Sequence, residues 1–254
     1  MNSYAKKYLG QHFLIKKSIS EKIVDSLEIH QEKNIIEIGP GRGALTDFLI
    51  TKTNYFTIIE IDLDCIKILE KKFQNIQIIH GDFLTVDLSK IGYLNYSIIG
   101  NFPYNISTQI LFKVLENRNS IDQVVGMFQK EVAERICSKP NSKKYGILSV
   151  LIQAYFNCIL LFDVAPDNFQ PKPKVYSSVL KLSRNKTKEL DCDHNKFLIV
   201  VKAGFSQRRK KLKNALKKII NLDDANKYNI MKKRAEELSV NEFIKLTNLI
   251  FPKS

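Results

Sequence analysis

The sequence predicts an α/β fold, with a doubly wound parallel sheet in its larger part and a small all-helical domain behind it. Short, continuous apolar runs recur through the first 182 residues, as is usual for strands that are covered on both faces. Helical apolar patterns lie between several of these runs, and this alternation of strand and helix favours a parallel sheet. Beyond residue 182 the sequence becomes polar and then helical, without a convincing strand.

Seven segments rich in β-branched residues are the predicted strands: NIIEIG (34–39), YFTIIEID (55–62), IQIIHGD (76–82), YSIIGN (96–101), DQVVGMFQ (122–129), CILLFDV (158–164) and SSVLKL (177–182). Helical spacing of apolar residues predicts helices within 43–52 and 64–74. The uncharged run at 145–162 is interpreted as a buried helix followed by a buried strand. A membrane span fits it poorly, because Gln153 and Asn157 interrupt the run.

Charge is distributed unevenly along the chain. The net charge is +14, and the last 72 residues carry 18 Lys and Arg against 8 Asp and Glu. Such an excess suits a polyanionic partner, because binding to phosphate chains releases counterions. We therefore predict a larger domain at residues 1–188 and a basic helical domain at residues 189–254.

The cysteines do not form a recognisable metal or disulfide pattern. Cys65, Cys137, Cys158 and Cys192 contain no C-x-x-C pair, and the four histidines add no ligand spacing. Free thiols in a reducing compartment are the simplest interpretation, so we expect no metal site. The N-terminal segment lacks the apolar core of a signal peptide, which favours a cytoplasmic protein.

A glycine-rich segment, EIGPGRGALT (37–46), turns from the first predicted strand into a helix. Gly39, Gly41 and Gly43 permit a tight turn and a close ligand approach, and a helix N-terminus offers free N–H groups. The spacing satisfies the G-x-G-x-x-G/A pattern of dinucleotide sites. A strand–helix turn without a ligand would explain the same glycines.

Acidic residues end the next two predicted strands. Glu60 follows Gly39 by 21 residues, at a position where a carboxylate can accept from both hydroxyls of a ribose. Asp82 could accept from the exocyclic amine of an adenine, and Phe83 beside it could cover the ring. Because the carboxyl ends of parallel strands share one edge, these residues predict an adenosine site. NAD and S-adenosylmethionine both carry adenosine, so the cofactor stays open at this point.

The fourth predicted strand ends in Asn101-Phe102-Pro103-Tyr104, which matches the catalytic loop of methyltransferases that act on adenine or related planar amines. The N6 lone pair of adenine is delocalised and is a poor nucleophile. The Asn101 side-chain oxygen and the Phe102 carbonyl can accept the two amino hydrogens and aim the lone pair at a methyl group. Pro103 stiffens the turn, and Tyr104 can stack on the base. Alignment would then provide most of the catalysis, without a strong general base.

These and other segments resemble the ribosomal RNA small-subunit adenine dimethyltransferase family over nearly the whole chain. The matching segments are GQHFL (10–14), EIGPGRGALT (37–46), IEID (59–62), GDFL (81–84), GNFPYNIST (100–108), QKEVAERI (129–136), YGILSV (145–150), NFQPKPKVYSSV (168–179) and FSQRRKKLKNAL (205–216). The family dimethylates N6 of two adjacent adenosines near the 3′ end of small-subunit rRNA. The resemblance implies S-adenosylmethionine as cofactor, a Rossmann-like catalytic methyltransferase domain at 1–188 and an RNA-binding domain at 189–254.

The resemblance also assigns roles to residues on the cofactor side. His12 and Leu14 would contact the cofactor from the N-terminal segment, Gly39 would lie under its amino-acid portion, and Gly41 belongs to the same loop. The usual N-terminal motif is GQNFL, so His12 replaces an asparagine. The usual catalytic loop is NLPY, and Phe102 replaces its leucine. We expect little effect from the second change, because that residue contributes mainly a backbone carbonyl.

The remaining roles concern the nucleoside and the target base. By resemblance, Glu60 would hold the ribose, Asp82 the adenine, and Asn101 would lie near the reactive methyl. Phe169 would form the second aromatic wall of the target-base pocket, opposite Tyr104.

The segment FSQRRKKLKNALKK (205–218) holds seven basic residues. Its apolar residues recur at helical spacing, which predicts a helix with one packed face. The predicted RNA-binding cations on its other faces are Arg208, Arg209, Lys210, Lys211 and Lys213. A solvated helix face is the ordinary explanation of such a run, but the charge balance and an RNA substrate favour phosphate contact. We expect these residues to set affinity and salt dependence rather than chemistry.

Three other functions share part of this pattern. A large-subunit rRNA adenine methyltransferase of the macrolide-resistance type shares the fold and an N-x-P-Y loop, but YGILSV and FSQRRKKLKNAL resemble the small-subunit family more closely. A non-catalytic RNA-binding factor would not need the intact site residues. An NAD-dependent oxidoreductase is supported only by the glycine pattern. We therefore expect a monomeric enzyme whose partner is small-subunit rRNA within the ribosomal subunit, with no membrane association.

Overall fold

The computed structural model describes residues 5–29, 34–220 and 228–252. The chain divides into two compact units, one formed by Met1–Ala133 with Ile159–Arg184 and the other by Glu134–Cys158 with Asn185–Ser254. The second unit includes Glu134–Cys158, a segment that we placed in the larger domain from the sequence. Between Arg184 and Asn185 the chain passes from the first unit to the second, close to the predicted boundary at 188.

A seven-stranded mixed sheet organises the larger unit. Its strands are β2 (Asn34–Ile38), β3 (Phe56–Glu60), β4 (Gln77–His80), β5 (Tyr96–Asn101), β6 (Ile121–Gln129), β7 (Phe156–Val164) and β9 (Ser177–Arg184). The order is β4-β3-β2-β5-β6-β9-β7. The first five strands in this order run parallel, and β9 runs antiparallel to β6. A separate antiparallel pair joins β1 (Phe13–Leu14) to β8 (Phe169–Gln170). Every predicted strand is present, and the predicted α/β class is confirmed.

Helices alternate with the parallel strands and dominate the second unit. The α-helices are α1 (Lys17–Asp25), α2 (Thr46–Leu49), α3 (Leu63–Lys72), α4 (Ser107–Glu116), α5 (Lys130–Ile136), α6 (Ile147–Gln153), α7 (His194–Ser206), α8 (Leu212–Ala215) and α9 (Val240–Ile250). Short 3₁₀ helices lie at Lys7–Leu9, Leu88–Ile91, Pro166–Asn168, Asn229–Lys232 and Ala235–Glu237. In the described ranges, no helix has both the length and the apolar character that a membrane span requires.

The strand order brings the ends of three strands together beside β2. This strand lies between β3 and β5, so the chain builds one side of the sheet and then returns to build the other. The register pairs Ile38 with Ile59 on one side and Glu37 with Ile99 on the other. The carboxyl ends of the three strands therefore meet at one edge, which is where open α/β sheets bind ligands.

The strand at 156–164 differs from the expected buried strand. Ile159 and Leu160 are 53% and 41% exposed. β7 is the last strand of the sheet, and among the described strands its neighbour is β9. An edge strand lacks a neighbour on one side, so its apolar composition does not ensure burial.

Two glycines make room for the side chain of Phe102. A Cβ at Gly100 would lie 2.6 Å from the Phe102 ring, and a Cβ at Gly126 would overlap that ring. The ring itself is 1% exposed and meets Phe128 edge to face, with centroids 5.1 Å apart. This packing anchors the loop that follows β5.

We predict that Gly126→Ala lowers the free energy of unfolding by about 1–3 kcal/mol, because the added methyl group overpacks the site under the Phe102 ring. Chemical denaturation of the variant and the wild type measures the change. Gly146→Ala is the matched control, since the nearest atom to a Cβ there lies 4.0 Å away. Equal stability of Gly126→Ala and the wild type would contradict the packing described here.

Glu37 is a buried acid in the central strand of the sheet. It is 1% exposed, and the Thr46 hydroxyl donates to its Oε2 at 2.8 Å. Oε1 has no hydrogen-bond partner in the part of the chain that the structure describes. Burial raises the pKa of Glu37 to about 8, while the Thr46 bond opposes the rise.

This raised pKa predicts a pH-dependent cost to stability. The unfolded carboxyl ionises near its ordinary pKa of 4.5 and the folded one near 8, so the folded state loses relative stability as pH rises between these values. Glu37→Gln removes the ionisation and should therefore raise unfolding free energy more at pH 8 than at pH 5, relative to the wild type. Denaturation at both pH values measures this, with Glu21→Gln on the exposed surface of α1 as control. An effect of Glu37→Gln that is the same at both pH values would contradict the prediction.

Candidate active site

A cavity of about 270 Å³ opens at the carboxyl edge of β2, β3 and β5. Its walls come from the N-terminal segment, the glycine loop, the loop after β4 and the loop after β5. The residues predicted from sequence that line it are His12, Leu14, Gly39, Gly41, Glu60, Asp82, Phe83, Asn101, Phe102, Pro103 and Tyr104. The structure thus brings the predicted cofactor residues and the predicted reacting loop to one cavity.

The glycine loop approaches the cavity with its backbone. Gly39 has a φ of +61°, and a Cβ placed there would meet no atom within 4 Å. The space next to the Gly39 Cα is therefore open, and Gly39 is part of the cavity wall. Gly41 also has a positive φ of +57°, but a Cβ there would lie 2.9 Å from the Phe13 ring. Gly41 is required for packing, whereas Gly39 leaves room for a ligand.

Glu60 ties the glycine loop to the end of β3. Its Oε2 accepts from the Gly41 N–H at 3.0 Å, and its Oε1 accepts from the N–H groups of Ile61 and Asp62 at 2.9 Å each. Burial raises the pKa of Glu60, and these backbone hydrogen bonds oppose the rise. A carboxylate has about four acceptor positions, so one remains for a ligand hydroxyl.

The loop after β4 presents Asp82 and Phe83 to the cavity. Asp82 Oδ1 accepts from the Leu84 N–H at 2.9 Å, which fixes the carboxylate within a local turn and leaves Oδ2 for a ligand donor. Lys113 of α4 supports the loop from behind, because its Nζ donates to the Val86 carbonyl at 2.5 Å and lies 5.2 Å from the Phe83 ring centroid. Burial lowers the pKa of Lys113.

The N-terminal segment is fastened over the cavity by Asp62. Gln11 Nε2 donates to Asp62 Oδ2 at 2.8 Å, and Lys6 Nζ lies 2.5 Å from Asp62 Oδ1. The Gln11 side chain also accepts from the Lys6 N–H at 2.7 Å. Burial raises the pKa of Asp62, but the bonds from Lys6 and Gln11 outweigh it and lower the pKa. Beyond this network, β1 pairs with β8 and holds the segment at its other end.

Asn101 is oriented by a backbone carbonyl of the N-terminal segment. Its Nδ2 donates to the His12 carbonyl oxygen at 2.8 Å. This bond fixes the orientation of the amide, so Oδ1 is the atom available to a donor in the cavity. Phe102 next to it is buried and is one of the residues that line the cavity.

Tyr104 is held by its hydroxyl and by one ring face. The hydroxyl lies 2.5 Å from Ser177 Oγ, and the ring stacks on His12 with centroids 5.4 Å apart and an interplanar angle of 28°. Burial raises the pKa of Tyr104, and the Ser177 bond opposes the rise. The phenol therefore stays neutral at physiological pH.

Phe169 occupies a different position from the one expected. It does not line the cavity, is 3% exposed, and belongs to the hydrophobic core with Leu14. The physical reason is the β1–β8 pair, which sets Phe169 opposite Leu14 and turns an apolar ring into the core. The ring that faces Tyr104 is that of His12.

Several residues that build the site were not singled out from the sequence. They are Gln11, Glu37, Asp62, Lys113 and Ser177. Gln11 lies in the GQHFL segment and Asp62 in the IEID segment, so the motifs contained a signal for both. Lys113 lies outside the quoted motif segments. A lysine in a helix is usually solvated, so its sequence context did not indicate a contact with the loop after β4.

The basic segment of the second unit is not one continuous helix. α7 ends at Ser206, and α8 begins only at Leu212. The backbone at the start of α8 pairs with a distant segment instead. Lys211 forms an isolated antiparallel β-bridge with Arg234, and the Leu212 N–H donates to the Lys233 carbonyl at 2.8 Å. A run of adjacent cations also disfavours a helix through repulsion between neighbouring turns.

The predicted RNA-binding cations differ in their surroundings. Arg208 Nε donates to Glu236 Oε2 at 2.7 Å and its guanidinium also reaches the Ser142 carbonyl at 3.3 Å. Arg208 thus makes structural contacts within the second unit. The other predicted cations are more accessible. Exposed side chains are those of Arg209, Lys210 and Lys211, and Lys213 is partly exposed.

Solved structures share this fold. A dimethyladenosine transferase from Plasmodium falciparum superposes with a TM-score of 0.82 at 24% identity, over 92% of this chain and 96% of that chain. The 23S rRNA methyltransferase ErmE superposes with a TM-score of 0.69 at 22% identity, over 92% of this chain and 98% of that chain. At these identities the likeness establishes the methyltransferase fold.

Other proteins have a higher sequence identity to this chain than these two structures have. The ribosomal RNA small subunit methyltransferase A of Cytophaga hutchinsonii is 51% identical over 98% of both chains. The protein of the same name from Flavobacterium johnsoniae is 48% identical over 97% of this chain and 95% of its own. A family model described as ribosomal RNA adenine dimethylase matches residues 2–251. This chain therefore belongs to the ribosomal RNA adenine dimethylase family.

Proposed function

We propose that the protein transfers methyl groups from S-adenosylmethionine to N6 of two adjacent adenosines near the 3′ end of small-subunit rRNA, during maturation of the small subunit. The observation that carries this proposal is one cavity that joins Glu60 and Asp82, the predicted adenosine-binding acceptors, to the Asn101 loop. Family membership and relatives named for small-subunit rRNA support the same substrate. We further propose that the enzyme acts as a cytoplasmic monomer.

The cavity residues fit S-adenosylmethionine. Glu37 lines the cavity, and its Oε1 has no hydrogen-bond partner among the described residues, so this carboxyl group suits an ammonium group. The open backbone at Gly39 has room for the amino-acid portion, and Glu60 and Asp82 offer acceptors to a ribose and an adenine amine. His12 and Leu14 close the cavity from the N-terminal side. When bound, S-adenosylmethionine supplies an electrophilic methyl group on its sulfonium.

The reacting loop prepares the amine of the target base. Asn101 Oδ1 and the Phe102 carbonyl accept its two hydrogens, which turns the nitrogen lone pair away from the ring system. The amide of Asn101 is already oriented by the His12 carbonyl, so little reorganisation is needed. Pro103 stiffens the turn. Attack makes the nitrogen acidic, and water can take its proton without a general base.

Substrate affinity is assigned to the second unit. Arg209, Lys210 and Lys211 are exposed and adjacent, and Lys213 is partly exposed. We propose that these four residues contact RNA phosphates. Arg208 is excluded from this role because it is paired with Glu236. The division places chemistry in the first unit and affinity for a structured RNA backbone in the second.

The first functional prediction concerns Asn101. Asn101→Ala should lower kcat by about 10²–10³-fold, because an oriented acceptor for the amine is lost, while cofactor affinity changes little. Labelled S-adenosylmethionine with unmethylated small subunits measures transfer, and calorimetry measures cofactor binding. Asn54→Ala, at an exposed position near the opposite edge of the sheet, is the matched control. Full activity of Asn101→Ala would refute the mechanism.

The same assay tests the substrate. Wild-type protein should label small subunits at adjacent adenosines near the rRNA 3′ end. Label on large subunits instead would support the macrolide-resistance type of activity. Cofactor binding without any transfer would support a non-catalytic role.

The second functional prediction concerns the exposed cations. The double substitution Lys210→Glu with Lys211→Glu should weaken binding to small subunits at least about tenfold at 0.1 M salt and reduce the salt dependence of binding. Cofactor affinity should be unchanged. The control pair Lys186→Glu with Lys188→Glu changes the net charge equally at exposed positions outside the cluster. Equal weakening by both pairs would show a non-specific charge effect.

A further inference from the structure

The side chain of His12 contacts the reacting loop and its surroundings. Its Nδ1 lies 2.7 Å from the Pro171 carbonyl oxygen, so Nδ1–H is the donor. Its ring stacks on Tyr104, with centroids 5.4 Å apart and 28° between the planes. Its own carbonyl accepts from Asn101 Nδ2 at 2.8 Å. Both polar residues of the reacting loop are therefore held by residue 12.

These contacts differ from a cofactor-binding role. The side chain uses its ring face on Tyr104 and one nitrogen on Pro171, and both partners lie outside the glycine loop and the acidic strand ends. An asparagine at this position would keep the backbone bond to Asn101 but would have no ring to stack. The histidine ring thus adds an interaction with Tyr104 that the usual family motif lacks.

We propose that His12 is a positioning residue for the methyl-accepting base, acting through Tyr104. The Pro171 carbonyl fixes the imidazole, the imidazole supports one face of Tyr104, and Ser177 fixes the Tyr104 hydroxyl. A base between the two rings would need about 7 Å between their centroids, or two stacking distances of about 3.5 Å. The observed 5.4 Å is too short for a base to lie between them. We therefore place the base against the other face of Tyr104.

This inference rests on the proposed function, and a set of substitutions separates the two. His12→Ala removes the ring and the donor, His12→Asn restores the usual family residue, and His12→Phe keeps a ring without the donor. For each variant, kcat and KM for unmethylated small subunits are measured at saturating S-adenosylmethionine. Calorimetry gives the cofactor Kd. Tyr55→Ala, which removes an exposed ring near the opposite edge of the sheet, is the control.

We expect His12→Ala and His12→Asn to lower kcat/KM for the small subunit about tenfold, because a displaced Tyr104 ring would hold the target base in a less favourable orientation. The cofactor Kd should stay within about twofold, and His12→Phe should recover most of the loss, since an aromatic pair is retained. In a Tyr104→Ala background, His12→Ala should cause little further loss, because His12 acts through that ring.

Two results would overturn the inference. One is a weaker cofactor Kd with an unchanged kcat at saturating cofactor, which would return His12 to cofactor binding. The other is full additivity of His12→Ala and Tyr104→Ala. Failure of the proposed function has a different signature, since the wild type would then leave small subunits unlabelled. Thermal unfolding of each variant separates these results from loss of the fold.

Discussion

The hydrogen bond from Asn101 to the His12 carbonyl joins the two parts of the chain on which the site depends. Asn101 stands at the end of β5, whose position is set by the parallel register with β2. His12 lies in a segment with little secondary structure, so its position depends on side-chain anchors and on the β1–β8 pair. Because Gln11 binds Asp62 beside His12, the end of β3 determines where the carbonyl lies. Both strands adjacent to β2 thus control the orientation of one amide.

Buried acids are the energetic cost of this arrangement, and each is stabilised differently. Glu60 accepts three backbone N–H groups, and Asp62 accepts from Lys6 and Gln11. Glu37 accepts from Thr46, its Oε1 has no partner among the described residues, and burial raises its pKa to about 8. An unpartnered buried oxygen reduces stability unless a ligand supplies a donor. The fold therefore retains a destabilising feature in the wall of the cavity where we propose that the cofactor binds.

The strands and most of the cavity-lining residues could be predicted from the sequence, because they depend on local sequence patterns. Continuous β-branched runs predict buried parallel strands, and strand ends on one edge must lie together. The sequence was insufficient where a residue's surroundings come from distant segments. The exposure of Ile159 follows from an edge position, and the interruption of the basic helix follows from the bridge to Arg234. Phe169 is buried because β8 pairs with β1. Each of these strands has two residues, which is too short for a periodic pattern that would predict the pairing.

The N-terminal motif illustrates a limit on transferring roles by residue type. At position 12 the interaction that orients Asn101 belongs to the backbone, so any residue can provide it. The side chain is then free to change without loss of that bond, and here it is an imidazole that stacks on Tyr104. Matching a motif therefore identifies where the chain runs with more certainty than what each side chain binds. The same reasoning applies to Phe102, whose ring fills the space beside Gly126 while the residue still lines the cavity. In both cases the backbone is common to the motif, and the side chain adapts to its local packing.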